Sequence, residues 1–343
     1  MKNLKTFFLG IVFCAVFCIP LFSEGNFQAE DQGKVVIKLA SIAPEATPWG
    51  RALNKMASDW SQATNGEVIL RVFHNGVAGN ESDVLRLLKL NQIQAAVLTT
   101  LGINSIAPEA ITLSCPFLIR NDNELDIVLK QLEPDLERSI ISKGFYPISW
   151  NKAGWIRFFA RNPVRVPADL KKQKLATGQD EPALTNTFKS MGYQMIPLGL
   201  NDTIIALNAG SLDAVFQSPI AAAPLQIFGV AKNMSSFKIS PFLGAIVMNQ
   251  AGWNAIPEKY RDKLMQMSKA VGPGLDASIT KLEGDAIKTM QANGLNVIDS
   301  TPAQMQEWYN DLDKAIPALL ANKTFDATMY NKIKDILAKV RNK

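Results

Sequence analysis

The sequence predicts an α/β protein of two similarly built lobes, each a parallel sheet flanked by helices. Three observations carry that prediction. At 343 residues the chain is longer than one small core requires. Apolar, β-branched segments alternate with helical spacing over Val35–Thr99, and the same β-α-β rhythm begins again at Pro167. A long helical stretch then opens at Gly252 and must break or bend at Gly272-Pro273-Gly274.

The elements follow in order. Residues 1–25 read as an export signal. Lys2 and Lys5 give the positive start, Phe7–Phe22 an apolar run of 16 residues, and Ser23 and Gly25 the small residues of a cleavage site. Cys14 and Cys18 also admit acylation, and an uncleaved signal would anchor the chain. Residues 26–34 read as a polar, flexible leader. Val35–Ser41 is a buried strand. Thr47 caps a helix with Ala52, Met56 and Trp60 on one face, which ends at Asn65-Gly66. Glu67–Phe73 is the second strand, Ser82–Leu90 a helix and Gln94–Thr99 the third strand. Helices cover about 123–142, Phe145–Trp150 is a strand, and aromatic Trp155–Arg161 is a segment crossing between lobes. Beyond the second β-α-β run, Ile239–Gln250 crosses back, Leu295–Ile298 is a short strand, and helices fill 301–320 and 326–340. Trp60 and Trp308 sit at helical spacing and are assigned to the core.

Composition narrows the function classes. Hydrophobic residues make up 47% and charged residues 20%, as in globular proteins generally. The net charge of +5 falls to about +3 without the signal lysines, and no basic stripe is interleaved with aromatics, so nucleic acid is not expected as a partner. Without the signal, Cys115 remains alone and the fold must rest on its core. The single histidine, His74, precedes Asn75-Gly76 in a turn and has no nucleophile motif beside it. There is no P-loop, no Gly-rich dinucleotide turn and no zinc-type cluster, so neither catalysis nor a cofactor or metal is expected.

The block Val166–Pro219 narrows the reading further. It holds Pro167-x-Asp169-Leu170, a short strand, a helix ending at Met191-Gly192, a second strand and a helix closing on Gly210-Ser-Leu-Asp213. Upstream stands Ser114-Cys115-Pro116-Phe117-Leu118-Ile119, and downstream Asn249-Gln-Ala-Gly-Trp253-Asn-Ala-Ile256-Pro257. In this order the chain resembles the extracytoplasmic solute-binding subunits of tripartite ATP-independent periplasmic (TRAP) transporters, over nearly all of its mature length. The resemblance implies a two-lobed periplasmic-binding-protein fold with a ligand cleft between lobes and a long helical segment near the C-terminus. It implies lobe 1 over 35–154 plus 245–275, lobe 2 over 155–244 plus 276–320, and a C-terminal helix over 321–343 packed on the lobes.

The resemblance also locates candidate ligand contacts. In the family an arginine at the end of the Asp-Leu strand grips the ligand carboxylate, and the matching position here is Ala176, followed by Thr177. Arg157, in a Gly154-x-x-Arg context, is the remaining candidate for a polar contact, with Arg161 as alternative; an ion pair between lobes is the competing reading of either. Asp213 reads as a structural tie. Gln217 stands where the family has asparagine, and Val215 and Phe216 replace polar side chains. Trp49, Trp150, Trp155, Phe216 and Trp253 fall in loops or at strand ends, and Asn249 belongs to the downstream motif. Together these predict a cleft poor in charge that takes a hydrophobic or weakly polar ligand. The expected partners are ion-gradient-driven membrane permease subunits and, as in some family members, a periplasmic tetratricopeptide-repeat protein. A ligand-binding sensor subunit, or less favourably a periplasmic enzyme, is the alternative class.

Overall fold

The structure is a computed structural model that describes residues 33–179 and 181–341. The export signal and nearly all of the leader lie outside the described residues. In chain order the elements of the first half are β1 (Val35–Ala40), α1 (Pro48–Ala63), β2 (Val68–Phe73), α2 (Glu81–Lys89), β3 (Ala95–Thr99), α3 (Thr100–Asn104), a 3-10 turn (Pro108–Ser114), α4 (Asp122–Ser142) and β4 (Phe145–Ala160). Then come α5 (Pro167–Lys171), β5 (Lys174–Gly178), α6 (Pro182–Ser190), β6 (Gln194–Leu198), α7 (Leu200–Asn208), β7 (Ala214–Gln217), α8 (Pro219–Ala222), β8 (Asn233–Ser235) and β9 (Ser240–Asn249). The chain closes with α9 (Gln250–Ala255), α10 (Glu258–Ala270), α11 (Gly272–Ala292), β10 (Asn296–Ile298), α12 (Pro302–Ala321) and α13 (Ala327–Arg341).

Local chemistry sets the boundaries. Thr47 accepts from the Gly50 amide and Pro48 opens α1, as the sequence predicts. Asn80 and Asp83 close a reciprocal capping box on α2, and Thr301 and Gln304 do the same on α12. Pro273 sits in the first turn of α11, where its missing N–H costs nothing, so of the break or bend expected at Gly272-Pro273-Gly274 the chain takes the break, between α10 and α11.

The strands run in the order β2-β1-β3-β9-β4-β7-β5-β6, with β8 on β4 and β10 on β8. β1 pairs in parallel with β2 and β3; β5 pairs in parallel with β6 and β7. The antiparallel pair β4–β9 joins these two parallel groups, from Phe145↔Asn249 to Ile156↔Ser240. Here the structure departs from the sequence reading: Phe145–Trp150 and all of Trp155–Arg161 but its last residue are parts of one 16-residue strand. Register shifts at Pro147/Ser149 and Lys152/Gly154 let it bend while serving both groups. Gly154 has φ +111°, and a Cβ there would stand 3.0 Å from the Glu283 carboxylate, so glycine is required at the second shift. β7 was not anticipated: Ala214–Gln217 is too short to show a period of its own.

Behind this frame α12 packs on α5 and α6, whereas α13 packs on α4 and the 3-10 turn. The linker between them therefore passes from one strand group to the other. Asp326 fixes it by accepting from the Met329 amide and donating its own amide to Thr112 Oγ1. The Arg341 guanidinium donates to both Glu124 carboxylate oxygens at 2.8 Å, tying the end of α13 to α4.

Candidate functional site

A cavity of about 510 Å³ lies between the two strand groups. One wall comes from the end of β3 and the start of α3 (Thr99, Thr100, Leu101), together with Pro116 and Phe117. β4 contributes Ile156 and Phe158, and β9 contributes Ser240 to Phe242. The other wall comes from Leu175, Leu184, Phe188, Met195 and Phe216, with Trp308, Leu312 and Phe325 closing the back. Alternation along a strand explains the selection: on β4, residues 156 and 158 face the cavity and 157 faces away.

The back is aromatic. The Trp308 ring lies 5.3 Å from Phe158, 5.5 Å from Phe117 and 5.6 Å from Phe237. Phe117 holds φ +57°, a left-handed backbone uncommon for a bulky residue. Its amide donates to the Ile239 carbonyl at 2.6 Å, so one hydrogen bond and three ring neighbours hold the conformation that turns its side chain toward the cavity.

Polar groups are few. Among the described residues lining the cavity there is no lysine, arginine or histidine, while two carboxylates, Glu181 and Asp311, are present. Asp311 accepts from the Tyr193 hydroxyl at 2.6 Å and from Lys171 Nζ at 3.1 Å. Burial, and next the bond to Asp311, raises the Tyr193 phenol well above its ordinary range, so it stays protonated.

Of the residues the sequence singles out, Phe216 and Gln217 line this cavity. Thr177 is buried beside it, with its hydroxyl 3.3 Å from that of Thr185. Ala176 lies on the other face of β5, packed with Leu207, Leu212 and Val215. The apolar wall is therefore made by Leu175 and Phe216, and not by Ala176 and Val215 as the sequence argument had it. Arg157 does not reach the cavity either. Its guanidinium pairs with Glu283 of α11 at 3.1 Å and donates to the Ser236 carbonyl, while its Nε is buried without a partner. Arg161 donates to the Leu207 and Leu212 carbonyls, closing the end of α7. Asp213 ties β5 to β4, accepting from the Lys174 amide at 2.9 Å and lying 4.0 Å from Arg161 Nε.

The remaining candidates do not gather at the cavity. Asn249 caps α9 and donates to the Leu88 and Ile93 carbonyls at 2.9 and 3.1 Å. Trp253 stacks on Tyr146 at 4.7 Å. Trp49 is buried against Gly244 and Leu53 in a separate cluster. Trp150 is half-buried against the main core, and Trp155 donates Nε1 to Asp122 at 2.9 Å with Lys238 above its ring. The sequence reading missed Phe158, Tyr193, Trp308 and Asp311 as wall residues. Helical spacing puts Trp308 on the buried face of α12, and it does belong to the core, but spacing does not show that this face closes a cavity. Among the described residues, no group of three or more His, Cys, Asp or Glu side chains is placed to hold a metal ion.

Comparison with known proteins gives a consistent answer. A solute-binding protein of Roseobacter denitrificans is 23% identical over 60% of this chain and 62% of its own length. The 2,3-diketo-L-gulonate-binding periplasmic protein of Escherichia coli is 23% identical over 81% of this chain and 79% of its own length. The C4-dicarboxylate-binding protein of Bacillus subtilis is 22% identical, over 82% and 81%. Among solved structures, a TRAP periplasmic solute-binding protein from Desulfovibrio salexigens with bound orotic acid superposes with a TM-score of 0.79 at 21% identity, covering 90% of this chain and 100% of that one. One from Sulfurospirillum deleyianum with bound succinate gives 0.76 at 20% identity, covering 88% and 98%. These likenesses establish the two-lobed α/β periplasmic-binding-protein fold. The model of bacterial extracellular solute-binding protein family 7 matches residues 39–323, so the chain belongs to that family, as a solute-binding protein and not an enzyme.

Proposed function

We propose that this chain is the capture subunit of a TRAP-type, ion-gradient-driven uptake system whose cargo is hydrophobic or weakly polar. A solute-binding protein of this family works with a membrane permease. The finer reading is that the lobes, 35–154 plus 245–275 and 155–244 plus 276–320, close over the cargo by bending along β4 and β9. Cargo then favours the closed state because only there does it touch both lobes.

One observation carries the cargo class: a 510 Å³ inter-lobe cavity whose described lining is mostly aliphatic and aromatic, holds two carboxylates and contains no cation. Burying apolar ligand surface there gains roughly 25 cal/mol per Å². An anion would give up its hydration with no cationic partner among the described lining residues, which costs several kcal/mol. The relatives with orotic acid and succinate are known with acidic ligands; the difference proposed here lies in cargo and leaves the capture mechanism unchanged. Export by the N-terminal segment, with cleavage, acylation or retention as an anchor, belongs to the same proposal.

The test is native mass spectrometry of the purified protein followed by extraction of whatever is bound. Recovery of a lipid-like or other weakly polar compound is expected; recovery of a dicarboxylate or a sugar acid would overturn the cargo assignment. An apolar cargo also suits direct transfer between proteins, so we propose a periplasmic tetratricopeptide-repeat protein as a further partner. Co-purification with a co-encoded repeat protein is the expected result, and elution of the two as separate species at micromolar concentration would reject it.

A further inference from the structure

Beside Leu175, Leu184, Phe188 and Leu312 in the cavity wall, Tyr193 and Asp311 meet in a buried polar patch. Asp311 is buried, at 8% exposure, and is a wall residue all the same. Tyr193 donates its hydroxyl proton to one carboxylate oxygen at 2.6 Å, and Lys171 donates to the other at 3.1 Å. Lys171 is not itself among the wall residues. A carboxylate offers about four acceptor positions, and these two bonds leave about two of them open. The Tyr193 oxygen, having given its proton to Asp311, also keeps acceptor capacity. The patch therefore shows acceptors to the cavity, and an incoming group must supply the donor. The ammonium of Lys171 already balances the charge of Asp311, so a cationic group would lose its hydration for little net attraction.

We propose that Tyr193 and Asp311 are the specificity-determining polar anchor of this cavity and select a neutral hydrogen-bond donor, a hydroxyl, on an otherwise apolar ligand. This rests on the apolar-cargo reading and adds to it which end group the cargo carries. A hydroxyl donating to Asp311 or Tyr193 replaces the hydrogen bond it leaves in water. An ether of equal size cannot donate, and a carboxylate meets only acceptors at this patch. A few placed polar groups in an apolar pocket commonly set the orientation of the ligand, which is the role assigned here.

Three probes of similar length separate the possibilities by isothermal titration calorimetry on the mature chain: 1-octanol, heptyl methyl ether and octanoate. The expected result is that 1-octanol binds about tenfold tighter than the ether, as one hydrogen bond allows, and that octanoate binds weakest. In the double variant Tyr193→Phe with Asp311→Leu, which removes both acceptors and nearly keeps the cavity shape, the alcohol-to-ether ratio should fall to within about threefold while ether binding stays unchanged. Asp311→Leu alone, which leaves only the Tyr193 oxygen to accept, provides a second variant with a smaller expected fall, and a role confined to fold stability would leave that ratio untouched in both. Equal binding of alcohol and ether by the unaltered protein would overturn the anchor and leave the apolar cargo standing. Failure of all three probes to bind would overturn the apolar cargo itself. Octanoate as the tightest probe would overturn both.

Discussion

The two faces of β4 around Arg157 carry opposite chemistry. Ile156 and Phe158 face the inter-lobe cavity, and Phe158 lies against Trp308. Between them, Arg157 turns to α11 and meets Glu283, each side chain only about 10% exposed. The guanidinium that the sequence offers for a ligand anion is thus one residue out of phase with the cavity. Strand alternation decides this, since a shift by one residue moves a side chain to the other face. The cavity face is held by dispersion and burial, the back face by a buried charge pair whose desolvation offsets most of its attraction. On this reading the ion pair holds the crossing strand to α11, and the cavity face meets the cargo.

The largest effect that could break this division is expected at Glu283. Glu283→Ala strands the Arg157 guanidinium, whose Nε already lacks a partner, and should cost about 3–5 kcal/mol in urea unfolding. Replacing both partners, Arg157→Met with Glu283→Leu, should return stability to within about 2 kcal/mol of the unaltered chain. Affinity for 1-octanol in that double variant should stay within about twofold, because neither side chain lines the cavity. A tenfold loss would instead place Arg157 in the binding machinery.

The next effect belongs to the start of α4, where α13 is tied down. Arg341→Ala removes both guanidinium bonds to the Glu124 carboxylate, which is 5% exposed, and leaves the Arg120 amide as its remaining donor. A loss of about 1–3 kcal/mol is expected. On the cavity face, Phe216→Ala should weaken 1-octanol binding about five- to thirtyfold, in line with roughly 1–2 kcal/mol of lost apolar contact, while the unfolding midpoint moves less than in Glu283→Ala. The contrast between the two variants, one affecting affinity and the other stability, is what the two-face description requires.

Much of this architecture is legible in the sequence, for identifiable reasons. The strands and helices from β1 to β3 announce themselves by period, by Thr47 before Pro48 and by Asn65-Gly66 after α1, all of which are local signals. The continuity of β4 is not local: its middle, Asn151 to Gly154, reads as a loop, and only pairing with β9 makes it strand. Asn249 illustrates the same limit at the site. A polar residue in a family motif suggests a ligand contact, yet its side chain satisfies two carbonyls near the end of α2 and the start of β3. Trp308 and Asp311 illustrate the converse. They lie far along the chain from Phe158, Tyr193 and Phe216, on a helix whose docking against α5 and α6 no periodicity encodes. Composition of the central block pointed to an apolar cleft, but the residues that make it so are mostly others.

The smallest expected effect is a pH dependence, and it probes how firmly the crossing strand is pinned from its two sides. On the α4 side, Asp122 accepts from Trp155 Nε1 and from Lys238. Burial alone would raise its pKa, but these bonds outweigh burial and hold it below the usual carboxylate range. On the α11 side, Asp276 accepts from the Lys152 amide at 3.0 Å, and there burial dominates and raises its pKa. The signs are opposite. The depressed Asp122 contributes stability that is present above its unfolded pKa of about 3.9 and is lost as pH falls through its lower folded value. The raised Asp276 binds its proton more tightly when folded, so its contribution is present in acid and is lost as pH rises through its folded pKa. Acidification from pH 7 toward pH 3 therefore strengthens one pin while weakening the other. Asp276→Asn should remove the gain in stability that acidification brings between the raised folded pKa and about pH 4, and Asp122→Asn should flatten the loss below about pH 4. Unfolding midpoints measured across that range would show the two variants diverging; parallel curves would mean that the strand is pinned by packing alone and that neither carboxylate changes its proton affinity on folding.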